Sequence, residues 1–493
     1  MAKVLNLNAD GKRWRPHRIG IANDHVRVPY ANGSSFASQF LYREFNQRGH
    51  EVTVIGPEDP LASEEELPNN RVLLTSLPLK AQPGVHLALP TRRGLRELTR
   101  KRIDVFLGQT GTGMIDLGLW LRRTQNIPFV SVNTFHWASY YEVLFPESFQ
   151  TNRAMHHLFS DRVIPWLERQ VASAYNRSDG LVVLSGGLKQ YWRDRGVNCP
   201  IHVIPRSVDP AIFDQAAGED PFPKQATRGH RLLSVCRHSR EKSLDRLLRI
   251  FARTVATTDP LATLTLVGDG PDHDVLKNLV QELKLGDKVF FEGEKALNEV
   301  QNYYRHAEVF TYTSLSETYG QVVSEALWCG LPVVAMNDGK GVQQQIASEY
   351  DGILVSPGPN ESESDYRFGR AVLDLLENPE RRLKMSEEAV ARSRPRCSPD
   401  QNINRFYEAF HQAKEHLEST GTHATSSSTQ VAVPSAYHLV RWTGLHVAAC
   451  ALGSFRKGEP VPSADVPLAT WDRGVTDPVR SPEKSESKVR KLK

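Results

Sequence analysis

Two glutamates with seven residues between them, Glu317 and Glu325, are the residues of this chain whose type and spacing most strongly suggest chemistry. Ionised carboxylates accept hydrogen bonds from hydroxyl groups. If the chain between them is helical, a rise of about 1.5 Å per residue separates their backbones by about 12 Å. That spacing suits a ligand that carries hydroxyl groups at both ends.

The residues around these glutamates predict a helix that starts between them. Thr318 followed three residues later by Gln321 is a capping-box pattern. It predicts a helix over 319–328 that ends before Gly330 and Pro332. The N–H groups of its first turn favour an anion such as phosphate. Two carboxylates around an anion site would suit a nucleotide sugar; the alternative is a solvated helix with ordinary surface glutamates.

The composition is that of a soluble protein with more than one domain. The chain has 493 residues, 40% hydrophobic and 24% charged, and a net charge of +4 that does not argue for a nucleic-acid partner. Five scattered cysteines without a C-x-x-C motif indicate a reducing compartment and no zinc site. The N-terminus lacks a signal-peptide core and no run of 18 apolar residues occurs, so we expect a cytoplasmic protein without a membrane-spanning helix.

Short apolar runs alternate with amphipathic stretches in two series. This pattern predicts an α/β protein with two Rossmann-like, doubly wound parallel-sheet domains that face a cleft. The predicted strands are 18–22, 51–56, 71–76, 104–108, 128–134, 180–185 and 201–205 in the first series, and 231–236, 262–270, 288–293, 308–314, 331–336 and 352–356 in the second.

A polar segment with two prolines, 214–230, predicts the join between the domains. We therefore place the first domain at 1–218 and the second at 219–418, with a last helix that is free to return to the first domain. Residues 419–493 are predicted to be a linker and a partly disordered tail.

One apolar island, 437–455, lies in this tail. Wound as a helix, it has an apolar face that Arg441 interrupts. The residues that share this face are Trp442, Leu445, Ala449 and Leu452. Docking to a membrane or a partner and a loosely ordered appendage are both open interpretations.

The motifs of the second half follow one another in a fixed order. They are "SVCRHSREKSLDRLLRIF" (234–251), "LTLVGDGPDHDVLKNL" (264–279), the segment 289–335 with its E-x7-E element, and "DGILVSPG" (351–358). This order resembles glycosyltransferase family 4, a retaining group with the GT-B fold. The resemblance covers about residues 17 to 415. It implies a metal-independent hexosyltransferase that uses a UDP- or GDP-sugar as co-substrate and needs no other cofactor.

The resemblance also implies roles for four charged residues. Arg237 and Lys242 are spaced like the family's diphosphate-binding pair, and fixed cations there would stabilise the negative charge that grows on the leaving group. Glu325 matches the residue that accepts hydrogen bonds from the ribose. Glu317 matches the residue near the hydroxyls of the donor sugar.

Further donor contacts follow from the same resemblance. The backbone N–H groups of Tyr319, Gly320 and Gln321 are expected to reach the diphosphate. Lys295 lies where the family's backbone meets the base. Gly33 matches one glycine of the family's Gly-Gly loop, and Asn32 replaces the other, so the donor contact there stays open.

Three further positions concern the acceptor, the donor and a metal. His136, in "NTFHWASYY", is the candidate acceptor-side histidine. Gln345 stands where the family often has a glutamate, which leaves the donor's identity open. Asp272 and Asp274 form a D-x-D pattern, but they start a predicted helix and are expected to cap it, so we predict no metal site.

The implied reaction is attack on the same face of the sugar, in which the leaving phosphate helps to deprotonate the acceptor hydroxyl. The segments 90–104 and 156–170 are basic, and the second is also apolar and aromatic, so both could contact an anionic membrane. A lipid-linked acceptor, with peripheral contact at the inner face of the cell membrane, and a soluble sugar acceptor both stay open. The alternatives are a GT-B nucleotide-sugar epimerase and a non-catalytic sugar-nucleotide-binding protein. The sequence does not specify the linkage or the oligomeric state.

Overall fold

The computed structural model describes residues 18–24, 26, 33–60, 62–80, 85–109, 113–134, 153–315, 317–420 and 428–453. Its first sheet has seven parallel strands in the order β3-β2-β1-β6-β7-β8-β9. These strands are β1 Arg18–Ala22, β2 Glu51–Pro57, β3 Arg71–Leu74, β6 Val105–Gly108, β7 Phe129–Val132, β8 Gly180–Val183 and β9 Ile201–Val203.

The second sheet has six parallel strands in the order β12-β11-β10-β13-β14-β15. These strands are β10 Arg231–Val235, β11 Thr263–Val267, β12 Val289–Gly293, β13 Val309–Tyr312, β14 Val333–Met336 and β15 Gly352–Val355. The two parallel sheets and their helices confirm the predicted fold class, and every predicted strand is present.

A short antiparallel hairpin, β4 Ser76–Pro78 and β5 His86–Ala88, was not predicted. Its strands have three residues each, too few to give an alternating pattern in the sequence. The hairpin leads directly into the helix α2, Arg92–Arg100.

Helices cover both faces of the sheets. They are α1 Gly33–Gln47, α2 Arg92–Arg100, α3 Gly113–Gln125, α4 Arg153–Leu158, α5 Ile164–Tyr175, α6 Gly186–Asp194, α7 Pro210–Phe213, α8 Leu244–Ile250, α9 Ala256–Thr258, α10 His273–Glu282, α11 Leu297–His306, α12 Gln321–Trp328, α13 Glu361–Glu377, α14 Pro379–Arg396, α15 Pro399–Thr420 and α16 Ser428–Gly453. Single turns of 3-10 helix lie at Glu64–Glu66, Ala226–Arg228 and Arg240–Lys242, and π-helical turns at Phe159–Val163 and Phe251–Val255.

Two chain segments cross where the sheets meet. One leads from β9 towards the second sheet, and the other joins α14 to α15. Val208 N donates to Cys397 O at 3.0 Å, and Asn402 Nδ2 donates to Pro205 O at 2.5 Å. Beyond this crossing, α15 packs against the first sheet, where Phe406 and Phe410 contact Phe45.

The helix α16 is a docked element of the first domain. Trp442 is fully buried against α3, over Gly113, where an added Cβ would lie 2.1 Å from the indole nitrogen. Arg441 does not interrupt the packed face, because its guanidinium lies 2.7 Å from the buried carboxylate of Asp116. His438 Nδ1 lies 3.2 Å from the same carboxylate.

The predicted apolar face of this segment was therefore wrong in detail. The buried side chains are His438, Trp442 and His446, one helical turn apart, whereas Leu445 is 37% exposed. A buried acidic partner on α3 turns polar residues of α16 inward, and the sequence of α16 alone does not reveal that partner. None of the described helices combines the length and the apolar composition that a bilayer-spanning segment requires.

Candidate active site

The order of the second sheet brings the predicted site residues together. The chain runs from β10 outward through β11 and β12, and then returns to β13 on the other side of β10. The loops that follow β10 and β13 therefore diverge at a topological switch point, where open α/β sheets bind their ligands. Arg237 and Lys242 follow β10, and Glu317 follows β13.

Lys242 and Glu317 form an ion pair between these two loops. Both side chains are largely buried, with exposed fractions of 19% and 11%. Tyr312 and Ser314 donate further hydrogen bonds to the same carboxylate oxygen, at 2.7 and 2.9 Å. Glu317 is thus held by three donors, and Lys242 is held at the switch point.

Both members of this pair keep their charge. Burial alone would raise the pKa of Glu317, but the Lys242 ammonium and the hydrogen bonds to the carboxylate outweigh burial and lower it. Burial opposes the charge of Lys242 as well, and the Glu317 carboxylate outweighs it and raises the pKa of Lys242. The site therefore contains a fixed, ionised pair at neutral pH.

Arg237 differs from Lys242 in its surroundings. It is exposed, and within the described part of the chain its side chain has no hydrogen bond or ion pair. Lys295 lies with its Nζ 3.7 Å from Glu292 Oε2, and its side chain is 28% exposed. Of the predicted donor-site cations, Arg237 is the one whose donors are not already engaged by described side chains.

The helix α12 starts two residues later than predicted, and the predicted capping box is wrong. Gly320 is the N-cap residue, with φ of 81°, and no side chain caps the helix. The Thr318 hydroxyl instead donates to Thr134 O, in the loop after β7, at 3.5 Å. The left-handed conformation that glycine allows turns the chain into the helix. Val323 N donates to Gly320 O at 3.0 Å, whereas the N–H groups of Gln321 and Val322 have no acceptor among the described residues.

The side chains of Tyr319 and Gln321 point to the segment that joins the domains. The Tyr319 hydroxyl donates to Arg206 O at 3.4 Å and lies 2.8 Å from Ser324 Oγ. Gln321 Nε2 donates to Ser207 O at 3.1 Å. Only the backbone groups of these residues are therefore candidates for the predicted phosphate contact.

Glu325 lies inside α12 and is 5% exposed. Burial raises its pKa to about 7, against hydrogen bonds from Tyr304 and Gln321 that lower it. The Tyr304 hydroxyl, itself fully buried, donates to Glu325 Oε2 at 3.0 Å. Sequence reasoning did not identify Tyr304, since a tyrosine on α11 carries no motif.

Arg206 is a second residue that sequence reasoning missed. It lies in the segment that leaves β9, and its guanidinium is placed where Tyr319, Glu317 and Glu325 stabilise its charge. Burial outweighs them and lowers the pKa of Arg206 to about 10, so the side chain stays cationic at neutral pH. Its position near both glutamates follows from the crossing of the two domains, for which the sequence has no local signal.

The departure from the family pattern at Gln345 has a structural reason. Gln345 is 1% exposed, and its amide nitrogen donates to the carbonyl oxygens of Tyr319 and Gly320. A carboxylate could not donate these bonds. Gly341 also fits closely beneath this loop, because an added Cβ would lie 2.6 Å from the backbone of Tyr319. Gln345 therefore holds the start of α12.

The first domain contributes less to the described site. Gly33 is the first residue of α1, and the loop before it lies outside the described residues. His136 also lies outside them. Its neighbour Thr134 is described, and the contact with Thr318 brings the loop after β7 to the loop that carries Glu317.

Neither aspartate of the D-x-D pattern caps through its side chain in the structure. Asp272 is the N-cap residue of α10, but it accepts no side-chain capping bond, and Asp274 lies in the first turn. Within the described residues one other group, His238, Asp269 and His273, could hold a metal ion. The two imidazoles lie 2.9 Å apart at Nδ1, which is hydrogen-bonding distance, so the pair is accounted for without an ion.

Comparison with known sequences agrees with this geometry. The profile described as "Glycosyltransferase Family 4" matches residues 32–212, and that described as "Glycosyl transferases group 1" matches residues 219–392. The chain belongs to the family 4, group 1 glycosyltransferases. This glycosyltransferase therefore has one family-matched region on each of its two large sheets, and α16 lies outside both.

The proteins that are similar to this glycosyltransferase are named for different reactions. The alpha-monoglucosyldiacylglycerol synthase of Streptococcus pneumoniae is 26% identical over 328 residues, which cover 64% of this chain and 70% of that protein. The GDP-mannose-dependent alpha-mannosyltransferase of Mycobacterium tuberculosis is 26% identical over 374 residues, 74% of this chain and 89% of that protein. The structure of Anabaena Alr3699/HepE with UDP has the same GT-B fold, with a TM-score of 0.60, 16% identity and coverage of 80% and 99% of the two chains.

Proposed function

We propose that this glycosyltransferase moves a hexose from a UDP- or GDP-sugar to a hydroxyl group of a lipid-linked acceptor, with retention of the anomeric configuration. The observation that carries the proposal is the convergence, at the switch point after β10 and β13, of the exposed Arg237, the ionised Lys242–Glu317 pair and the start of α12. Cations and helical N–H groups at one point suit a diphosphate.

In the proposed reaction the bond between the sugar C1 and the β-phosphate oxygen breaks. The acceptor oxygen bonds to C1 on the same face, and its proton passes to the leaving phosphate oxygen. Arg237 and the N–H groups at the start of α12 stabilise the charge on that phosphate. Lys242, held by Glu317, adds positive charge from the buried side, and Glu325 accepts hydrogen bonds from the ribose.

The lipid-linked acceptor draws support from the name of the streptococcal relative, which is a diacylglycerol-based synthase. The base of the donor is either uracil or guanine, because GDP appears in the name of one relative and the structural neighbour is a complex with UDP. A metal-independent reaction fits a site where protein cations face the phosphates. We place the reaction at the inner face of the cell membrane.

The test is a turnover screen of UDP-glucose, UDP-galactose and GDP-mannose in EDTA, with diacylglycerol vesicles or soluble sugars as acceptors. We expect one donor to be hydrolysed slowly without an acceptor and transferred to lipid with retention. Arg237→Gln should reduce turnover by about 100-fold, since charge stabilisation of this kind contributes several kcal/mol. The matched control is Arg240→Gln, an exposed arginine three residues away, which should stay within about twofold of wild type.

Donor binding without hydrolysis or transfer would indicate a non-catalytic sugar-nucleotide-binding protein. Transfer to soluble sugars alone would contradict the lipid-linked acceptor and leave the donor site intact. An equal loss of turnover in Arg237→Gln and Arg240→Gln would contradict the role of Arg237.

A further inference from the structure

We infer that the outer face of α16, together with the arginines of α2, is a docking surface for an anionic lipid bilayer. This inference rests on the lipid-linked acceptor proposed above and names the surface that would bring the active site to it. Three features of the first domain favour a bilayer as the occupant: the orientation of α16, the composition of its outer face and the charge of α2.

The orientation of α16 is fixed by polar contacts on its inner face. Arg441 and His438 both contact the Asp116 carboxylate, which is fully buried on α3. His446 Nδ1 lies 2.7 Å from Ala88 O, at the end of β5. Trp442 is buried between these contacts. All the histidine and arginine side chains of 436–451 are thus directed inward.

The outer face that remains carries no charged side chain. Its exposed residues between 436 and 451 are Ala436, Tyr437, Val440, Thr443, Gly444, Leu445, Val447, Ala448 and Ala451. Val440 is 71% exposed and Val447 47%. Solvent-facing helices normally carry charged residues on this side, so an uncharged outer face indicates that something apolar covers it.

The hairpin that packs against α16 leads into a strongly basic helix. The hairpin β4–β5 contacts the C-terminal half of α16 through Leu87 and Ala449, and it leads into α2. The helix α2 carries four exposed arginines and a single exposed glutamate. The arginines are Arg92, Arg93, Arg96 and Arg100, and none forms an ion pair with another described residue. Unpaired guanidinium groups and an uncharged apolar face on the same domain complement the phosphates and the acyl region of an anionic bilayer.

Other occupants are less consistent with this composition. In a two-fold dimer the same patch meets itself, and this patch offers four arginines but only one exposed glutamate as their partner. A soluble acidic protein would match the arginines, but it would not require that the nine exposed positions of 436–451 all lack a charge. Leu158 and Trp166, on α4 and α5, are further exposed apolar side chains of the first domain.

The experiment is sedimentation of the full chain with phosphatidylglycerol or phosphatidylcholine vesicles at low and high salt. We expect binding to phosphatidylglycerol that weakens with salt. Replacing the four α2 arginines with glutamine should weaken it by about fivefold per arginine at low salt. The double variant Val440→Glu/Val447→Glu should weaken vesicle binding by about tenfold for each valine, because the apolar side chain is no longer buried in the bilayer.

The matched control is Leu261→Glu with Leu383→Glu, two leucines that are 64% and 63% exposed on the second domain. This variant should bind vesicles like wild type. Donor hydrolysis is measured in every sample: unchanged hydrolysis shows that a variant is folded and that the donor site is intact, whatever happens to vesicle binding.

Three outcomes would overturn the inference. They are no binding of wild type to phosphatidylglycerol, equal binding of the α16 variant and its control, and a dimer that the α16 substitutions dissociate without any vesicle binding. If wild type does not hydrolyse any donor, the proposed function is contradicted instead. Failure of the docking surface and failure of the proposed function can therefore be told apart.

Discussion

Substituting Glu325 by glutamine should make the second domain more stable at pH 8 and change little at pH 5. Burial raises the pKa of Glu325 from an ordinary value of 4.5 to about 7. Between these values the native protein keeps a proton that the unfolded chain has lost, so stability falls as pH rises through this window. Raising the pKa from 4.5 to about 7 corresponds to about 3 kcal/mol, since each pKa unit is equivalent to about 1.36 kcal/mol. Glutamine has no proton to lose and avoids this cost.

The assay compares thermal midpoints of wild type and Glu325→Gln at pH 5 and pH 8. A difference of about 3 kcal/mol corresponds to roughly 6–12 °C for a domain of this size. The matched control is Glu317→Gln, which should lower the thermal midpoint at neutral pH instead of raising it. The lowered pKa of Glu317 means that its ionised form stabilises the native state at neutral pH, and that this contribution is lost as pH falls through the native pKa. A midpoint difference between wild type and Glu325→Gln that is the same at both pH values would refute the reasoning.

Three other perturbations test the ion pairs and the metal independence. Lys242→Met should lower the free energy of unfolding by about 3 kcal/mol, because it leaves the Glu317 carboxylate buried without its cation. The double variant Lys242→Met/Glu317→Gln should recover stability in urea unfolding but should not recover turnover. Recovery of turnover would mean that Lys242 has only a structural role. Asp116→Ala should release α16 and expose Arg441 to trypsin while donor hydrolysis stays within about twofold of wild type, and unchanged proteolysis would show that the buried pair does not hold the helix. Donor hydrolysis should keep its rate within about twofold in EDTA because Arg237 and its neighbours supply the positive charge, and a loss of activity restored by added divalent metal would contradict this.

The sequence predicts the framework of this protein well because its signals are local. Buried parallel strands are short apolar runs, and each predicted run lies on a strand of the structure. The convergence of Arg237, Lys242 and Glu317 also follows, because the carboxyl ends of β10 and β13 meet at the switch point.

What the sequence does not predict depends on contacts between distant segments. Gly320 starts α12 in a left-handed conformation while Thr318 bonds to the other domain, so a local capping pattern was misleading. Arg206 approaches the two glutamates only because the domains cross at its position. Asp116 changes which face of α16 is buried, although the two lie more than three hundred residues apart.

The proposed donor site and the proposed membrane-docking surface lie on different domains. The residues of the proposed donor site lie on the second sheet and the segment that enters it, whereas α16 and α2 pack on the first. The two domains meet near the site through Thr318 and Thr134. Substitutions on the outer face of α16 should therefore change the use of lipid acceptor and leave the affinity for donor unchanged, because no described contact links that face to the switch point. Substitutions at Arg237 should instead lower turnover with every acceptor and leave vesicle binding unchanged.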